Sequence, residues 1–255
     1  MAGVLYDDDV FYDARWHLPV SSYSGAMPDD DVAAEQVPSR SRRWLQAGAA
    51  GGVAFVVLQL VGQFLIAGAS NVSEPAFDAP TADIVAFFDA QNAGMVKLGS
   101  YLSTLSVIPF LCFLGVLWSA LRDSEGDPPW LSVSAVGSGL LVAAGIVFGG
   151  NWGELPVHRR DEHPETLRLL FDQGNLAFAN LWVMCASLAF AASMLFLLRR
   201  AFPRWLGWLG IVSAIGLLAA RAVWSVSELW FLPFALFYVW LVAVSLTLVR
   251  RCPVT

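Results

Sequence analysis

The chain reads as all-α: a polytopic transmembrane helix bundle of six spans with both termini cytoplasmic. Composition, run length and charge placement each point there. Of its 255 residues, 57% are hydrophobic and only 14% charged, where a soluble domain carries about 25% charged residues. The apolar residues gather into continuous stretches of about 20, the length that crosses a bilayer as a helix. A membrane barrel would instead show alternating segments of about ten. The charges collect at the ends of these stretches. With a mean hydropathy of +0.60, a soluble enzyme, a fibre or a disordered chain is excluded. A net charge of −6 offers no basic field, so nucleic acid is not an expected partner, whereas membrane lipid is.

Residues 1–43 contain no spanning run and no helical hydrophobic period, and they lack the basic start and apolar stretch of a signal peptide. They read as a retained cytoplasmic tail. Asp7-Asp8-Asp9 and Asp29-Asp30-Asp31 make it acidic. Yet Tyr6, Phe11, Tyr12, Trp16 and Tyr23 are more aromatics than a solvating segment carries. Aromatic anchors interleaved with acids are the pattern of a docking peptide, with Tyr6, Phe11, Tyr12 and Trp16 as partner-docking residues.

The membrane domain occupies 44–251, with spans expected at about 45–69, 96–121, 131–150, 176–198, 206–226 and 229–249. With the N-terminus inside, Arg40, Arg42, Arg43, Arg122, Arg199, Arg200, Arg204, Arg250 and Arg251 fall on the inner side. Lys97, Arg159, Arg160 and Arg168 fall outside. This asymmetry and the even number of spans agree on the orientation. Two outer segments are more than connectors. Residues 81–90 read as a short helix capped by Thr81, with Ile84, Val85 and Phe88 on one face toward lipid or the bundle. Residues 151–172 read as a polar stretch followed by an amphipathic turn into the fourth span, where Pro164-Glu165 suits a helix start. Gly48 and Gly52, and Gly145 and Gly149, stand four apart, a spacing that lets helix backbones approach closely.

Arg221 is the chief anomaly, sixteen residues into the fifth span. A charge at that depth must face the bundle, pair or snorkel. With Glu228, Glu154, Asp172, Asn151 and Asn175 it would line an outward-opening polar pocket for a ligand or ion; the alternative is an ion pair that locks the bundle. Glu154, His158, Asp161, Glu162 and His163 are zinc-competent side chains. However, His158 and His163 lie five apart in a loop and lack the one-face spacing of a helical metal site, so no metal is expected. No phosphate loop, nucleophile elbow or Cys-x2-Cys pair occurs, and no span carries a histidine for haem, so no cofactor or catalytic residue is expected. Cys112, Cys185 and Cys252 are too few for a disulfide framework.

Between about 81 and 250 the chain resembles a family of bacterial six-helix integral membrane proteins of unknown function. The resemblance rests on Pro80-Thr81-Ala82-Asp83, Leu98-Gly99-Ser100-Tyr101-Leu102, Phe113-Leu114-Gly115, Leu121-Arg122-Asp123-Ser124-Glu125-Gly126 and Phe202-Pro203-Arg204-Trp205-Leu206-Gly207-Trp208-Leu209-Gly210. It implies the topology and a bacterial inner membrane, and carries no activity with it. The tail and the 158–163 stretch stand outside the pattern. The functional expectation is a non-catalytic accessory or stabilising subunit of a membrane complex, docking other subunits through its tail. The alternative is a small-molecule transporter, channel or ligand receptor built around Arg221.

Overall fold

The computed structural model describes residues 39–199, 202–223 and 231–251; of these, the side chains of 39–42 and 150–152 are outside the description. Eight helices occur among the described residues: α1 Ser39–Ala67, α2 Thr81–Asp89, α3 Ala93–Leu105, α4 Val107–Glu125, α5 Trp130–His158, α6 Pro164–Arg199, α7 Arg204–Ala222 and α8 Phe231–Arg251. Six stretches are long and apolar enough to cross a membrane, α3 and α4 together forming the second, Ala93–Glu125. The protein is therefore a multi-pass membrane protein. Ser245 donates to the Ala49 carbonyl, so the start of α1 and the end of α8 share one end of the bundle. We call it the terminal face and its opposite the loop face.

The helices outrun their apolar stretches. At 1.5 Å per residue the 36 residues of α6 measure about 54 Å, against about 30 Å of hydrocarbon. The surplus, with the end of α5, projects beyond the loop-side boundary. α5 thus runs on to His158, past the expected end of the third span at about 150, and α6 begins at Pro164, where the helix start is expected. Pro164 lacks an N–H, which costs nothing in a first turn. The projecting turns are covered by α2. Its Ile84 and Phe88 are buried with Val96, Val157, Leu167 and Phe171 in a small second core, and the Phe88 and Phe171 rings meet edge-on at 6.2 Å. The apolar face of α2 therefore turns to the bundle, not to lipid. Thr81 is the first helical residue rather than the cap; Pro80 holds the capping position, without a side-chain hydrogen bond.

Inside the layer, α6 packs against α4, α5, α7 and α8, and α1 against α3, α4 and α8. The seam of α1 runs through Gly48, Gly52, Phe55, Gln59 and Gly62, steps of four and three that keep one stripe on its neighbours. A Cβ on Gly62 would stand 2.7 Å from the Gly99 carbonyl oxygen, and one on Gly99 2.6 Å from the Gly62 carbonyl. Gly51 lies so close to the Pro109 carbonyl that only a hydrogen fits. Gly48 and Gly52 do bring α1 against Val116 and Phe113, and Gly145 faces Leu181, while Gly149 has open space around it. Phe55 stacks on Phe110 at 4.5 Å. Span two breaks at Ser106, because Pro109 has no N–H for the Leu105 carbonyl and its ring crowds that oxygen.

At the terminal face, Glu125 closes the α4–α5 turn. Its Oε1 accepts the Leu131 N–H at 2.9 Å and its Oε2 the Ser132 N–H at 2.8 Å. An acceptor of negative charge is thereby placed on the first turn of α5, where unpaired N–H groups and the helix dipole favour it. Phe202 stacks on Phe196 at 4.1 Å and lies under the Arg251 guanidinium at 4.2 Å. Pro203 opens α7, and Trp205 and Trp208 point outward at interfacial depth.

Close approach makes a contrast that stability measurements can read. Gly62→Ala and Gly99→Ala each drive a methyl into a carbonyl and should cost about 1–3 kcal/mol, roughly 2–4 °C of melting temperature per kcal/mol at this size. Gly115→Ala and Gly137→Ala meet nothing within 4 Å and should melt in detergent at or above the parent temperature. Equal behaviour of the two pairs would contradict the seam.

Candidate functional site

Arg221 lies in the last turn of α7, one residue before the helix ends. Measured from Arg204 it is 17 residues along, about 26 Å, which puts it at the loop-side edge of the hydrocarbon rather than in its middle. Its Nε and Nη2 both donate to Asn180 Oδ1, at 3.2 and 3.0 Å. Asn180 is 19 residues before the end of α6, about 29 Å, so two independent helices place this contact at the same depth. A guanidinium at a helix C-terminus meets the negative end of the dipole, and at this depth it reaches headgroups without the penalty of the bilayer centre.

The other residues of the expected pocket separate into local pairs. Glu154 meets His158 one turn on, at 3.3 Å. Asp172 meets Arg168 one turn back, also at 3.3 Å. Asn175 donates its amide to the Phe171 carbonyl at 3.0 Å. Each acid is thus held within its own helix. Asn151 lies in α5, its side chain outside the description, and Glu228 lies outside the described residues, as do Tyr6, Phe11, Tyr12 and Trp16. His163 precedes α6, and its carbonyl accepts the Thr166 N–H at 2.9 Å. Among the described residues no three His, Cys, Asp or Glu side chains stand together as a metal site.

Arg168 proves more consequential than its sequence position indicated. Besides Asp172 it donates Nη1 to the Ala79 carbonyl at 2.6 Å and Nη2 to the Phe77 carbonyl at 3.2 Å. Three directions of its planar fork are used, so this one side chain ties the segment entering α2 to the projecting start of α6. Arg160 does similar work, donating to the carbonyls of Val157 at 3.1 Å and Gln91 at 3.4 Å, and Arg159 pairs Glu162 at 3.1 Å. The only sequence trace of the Arg168 role is its four-residue spacing from Asp172.

Within the hydrocarbon, polar side chains distribute over separate helix interfaces. Gln59 donates to the Ser103 carbonyl at 3.2 Å and to Ser106 Oγ at 3.0 Å, bridging α1 to the break in span two. Ser138 and Ser187 join α5 to α6 at 2.7 Å. Ser213 donates to the Pro233 carbonyl at 3.1 Å, joining α7 to α8. Ser245 joins α8 to α1, and Asn180–Arg221 joins α6 to α7. Each of these pairs fastens a different helix interface.

Arg168→Leu removes charge-assisted bonds of about 1.5–3 kcal/mol each in a partly buried setting. Hydrogen exchange on the detergent-solubilised protein should show residues 77–89 losing protection by tenfold or more while α1 and α8 keep theirs. Uniform loss along the chain, or none in 77–89, would contradict the strap. No family model matches the chain, and neither a curated protein nor a solved structure matches it.

Proposed function

We propose that the protein is a non-catalytic integral membrane protein, an accessory or stabilising subunit of a membrane complex that docks through its acidic, aromatic N-terminal tail. The observation carrying this reading is the one-per-interface distribution of intramembrane polar pairs. A transport or receptor site gathers polar groups from several helices around one space. Here Gln59, Ser138, Ser213, Ser245 and Arg221 each fasten a different pair of elements. That is how helices are held where lipid competes equally for apolar surface.

Arginine placement supports a cytoplasmic terminal face and, with the family resemblance, a bacterial inner membrane. Arg43, Arg122, Arg199, Arg204, Arg250 and Arg251 lie at that end. On the opposite side Arg159, Arg160 and Arg168 are engaged in building the cap. The tail then leaves the membrane on the cytoplasmic side, where its aromatics meet cytoplasmic segments of neighbouring subunits.

Deleting residues 2–38 and purifying in mild detergent should strip co-purifying membrane subunits while leaving the melting temperature of the bundle within about 2 °C. Full retention of every co-purifying chain would overturn tail docking. Arg221→Leu separates this reading from its rival. If Arg221 is a fastener, the variant loses thermal stability and any loss of function tracks lost protein. Unchanged stability with abolished ligand binding or transport would favour a receptor or transporter.

A further inference from the structure

A half-open recess of about 190 Å³ lies at the terminal face, between the α4–α5 turn and the last turn of α6. Its lining is divided by chemistry. Leu195, Leu198 and Trp130 form an apolar wall; Asp127, Glu125 and Arg199 supply charges of both signs. Three spans end or begin at this level, so the recess sits at headgroup depth, with its apolar wall continuing toward the acyl chains. Leu198 and Trp130 are each 63% exposed on that wall, and an indole at such a boundary is the usual interfacial marker.

Glu125 belongs to the recess and is only 8% exposed. A carboxylate offers about four acceptor positions. The Leu131 and Ser132 N–H groups and the Ser132 hydroxyl occupy three, leaving one on Oε1. Arg199 is within electrostatic reach of Glu125. Exposed Asp127 is therefore the carboxylate that calls for a donor cation, with the open Glu125 acceptor position beside it, while the exposed guanidinium of Arg199 calls for an anion. The volume equals about six waters at ~30 Å³ each, enough for a compact group carrying both charges.

We propose that this recess holds the headgroup of an aminophospholipid, its phosphate on Arg199, its primary ammonium on Asp127 and Glu125, and its acyl chains along Leu198 and Trp130. A primary ammonium donates hydrogen bonds to both carboxylates, which a quaternary choline cannot, and a glycerol headgroup leaves the acidic side without a cation. The site is independent of the tail.

The test uses the full chain in mild detergent, supplied with phosphatidylethanolamine, phosphatidylcholine or phosphatidylglycerol of identical chains, and reads retained lipid by native mass spectrometry. The ethanolamine lipid should be retained about two- to fivefold over the other two, the range expected of exposed charge pairs. Asp127→Asn should erase that preference, and Arg199→Gln should lower retention of all three. Both side chains are exposed, so neither change removes core packing. Soluble phosphoethanolamine should not displace the lipid, because it lacks the chains. Equal retention of the three lipids, a preference surviving Asp127→Asn, or displacement by the soluble headgroup would each overturn the assignment. Deletion of residues 2–38 should leave the preference intact, so failure of tail docking and failure of this site are separately visible.

Discussion

Two helices in hydrocarbon gain nothing by hiding leucine from lipid, because lipid is as apolar as leucine. Association must come from closer packing than lipid achieves, or from polar bonds that lipid cannot make. This constraint governs the present bundle. Where α1 crosses α3, Gly62 and Gly99 let carbonyl and Cα atoms touch, and a few ångströms along the same seam Gln59 supplies the hydrogen bonds. Gly210 works likewise on α7: the indole of Trp240 from α8 and the hydroxyl of Ser193 from α6 occupy the volume its side chain would need. The α1 seam thus provides both sources of adhesion, while Gly210 contributes close packing. The many large apolar side chains left facing outward, such as Phe64, Ile108, Phe148 and Phe231, are what a lipid-facing surface requires and imply no partner by themselves.

The second organising feature is the length of α6. A helix of 36 residues cannot be contained in a 30 Å layer without large tilt, and this one emerges on the loop side. The emergent turns need their own burial, which α2 and the end of α5 supply through Ile84, Phe88, Val157, Leu167 and Phe171. Ordinary hydrophobic burial operates there, since water and not lipid is the competing solvent. One chain therefore folds by two sets of rules, small residues and hydrogen bonds within the membrane and an aromatic core above it. Arg168 sits in the second region, where a charged fork bonding two carbonyls is favourable because it is partly shielded from water.

Much of this architecture was legible in the sequence, and for physical reasons. Apolar runs of spanning length announce helices because every backbone polar group in hydrocarbon must be paired within its own segment. Pro164 and the 81–89 helix were readable from local stereochemistry. What hydropathy cannot see is where a helix ends once it leaves the lipid. The α5 extension over 151–158 is polar and charged, so it reads as loop. At α7 the helix ends at Ala222 while the apolar run of the sequence continues with Val223 and Trp224, which made Arg221 look deeper than it is. The roles of Gln59 and Arg168 were illegible for another reason: their partners lie 44 to 91 residues away, and no local spacing encodes such a meeting.

The candidate site changes character once depth is assigned. An arginine at the bilayer centre is costly enough that function is its default explanation; the same arginine at a boundary needs only a partner and access to headgroups. Asn180 supplies the partner, and the C-terminal end of α7 supplies a favourable field. The charges left to interpret are then those at the other boundary, where Glu125, Asp127 and Arg199 surround a recess with an apolar wall. Glu125 is already committed to the first turn of α5, so occupancy of that recess would bear directly on the α4–α5 turn and hence on how spans two, three and four meet. A lipid bound there would act as a structural element of the bundle, holding the ends of three spans together at the terminal face.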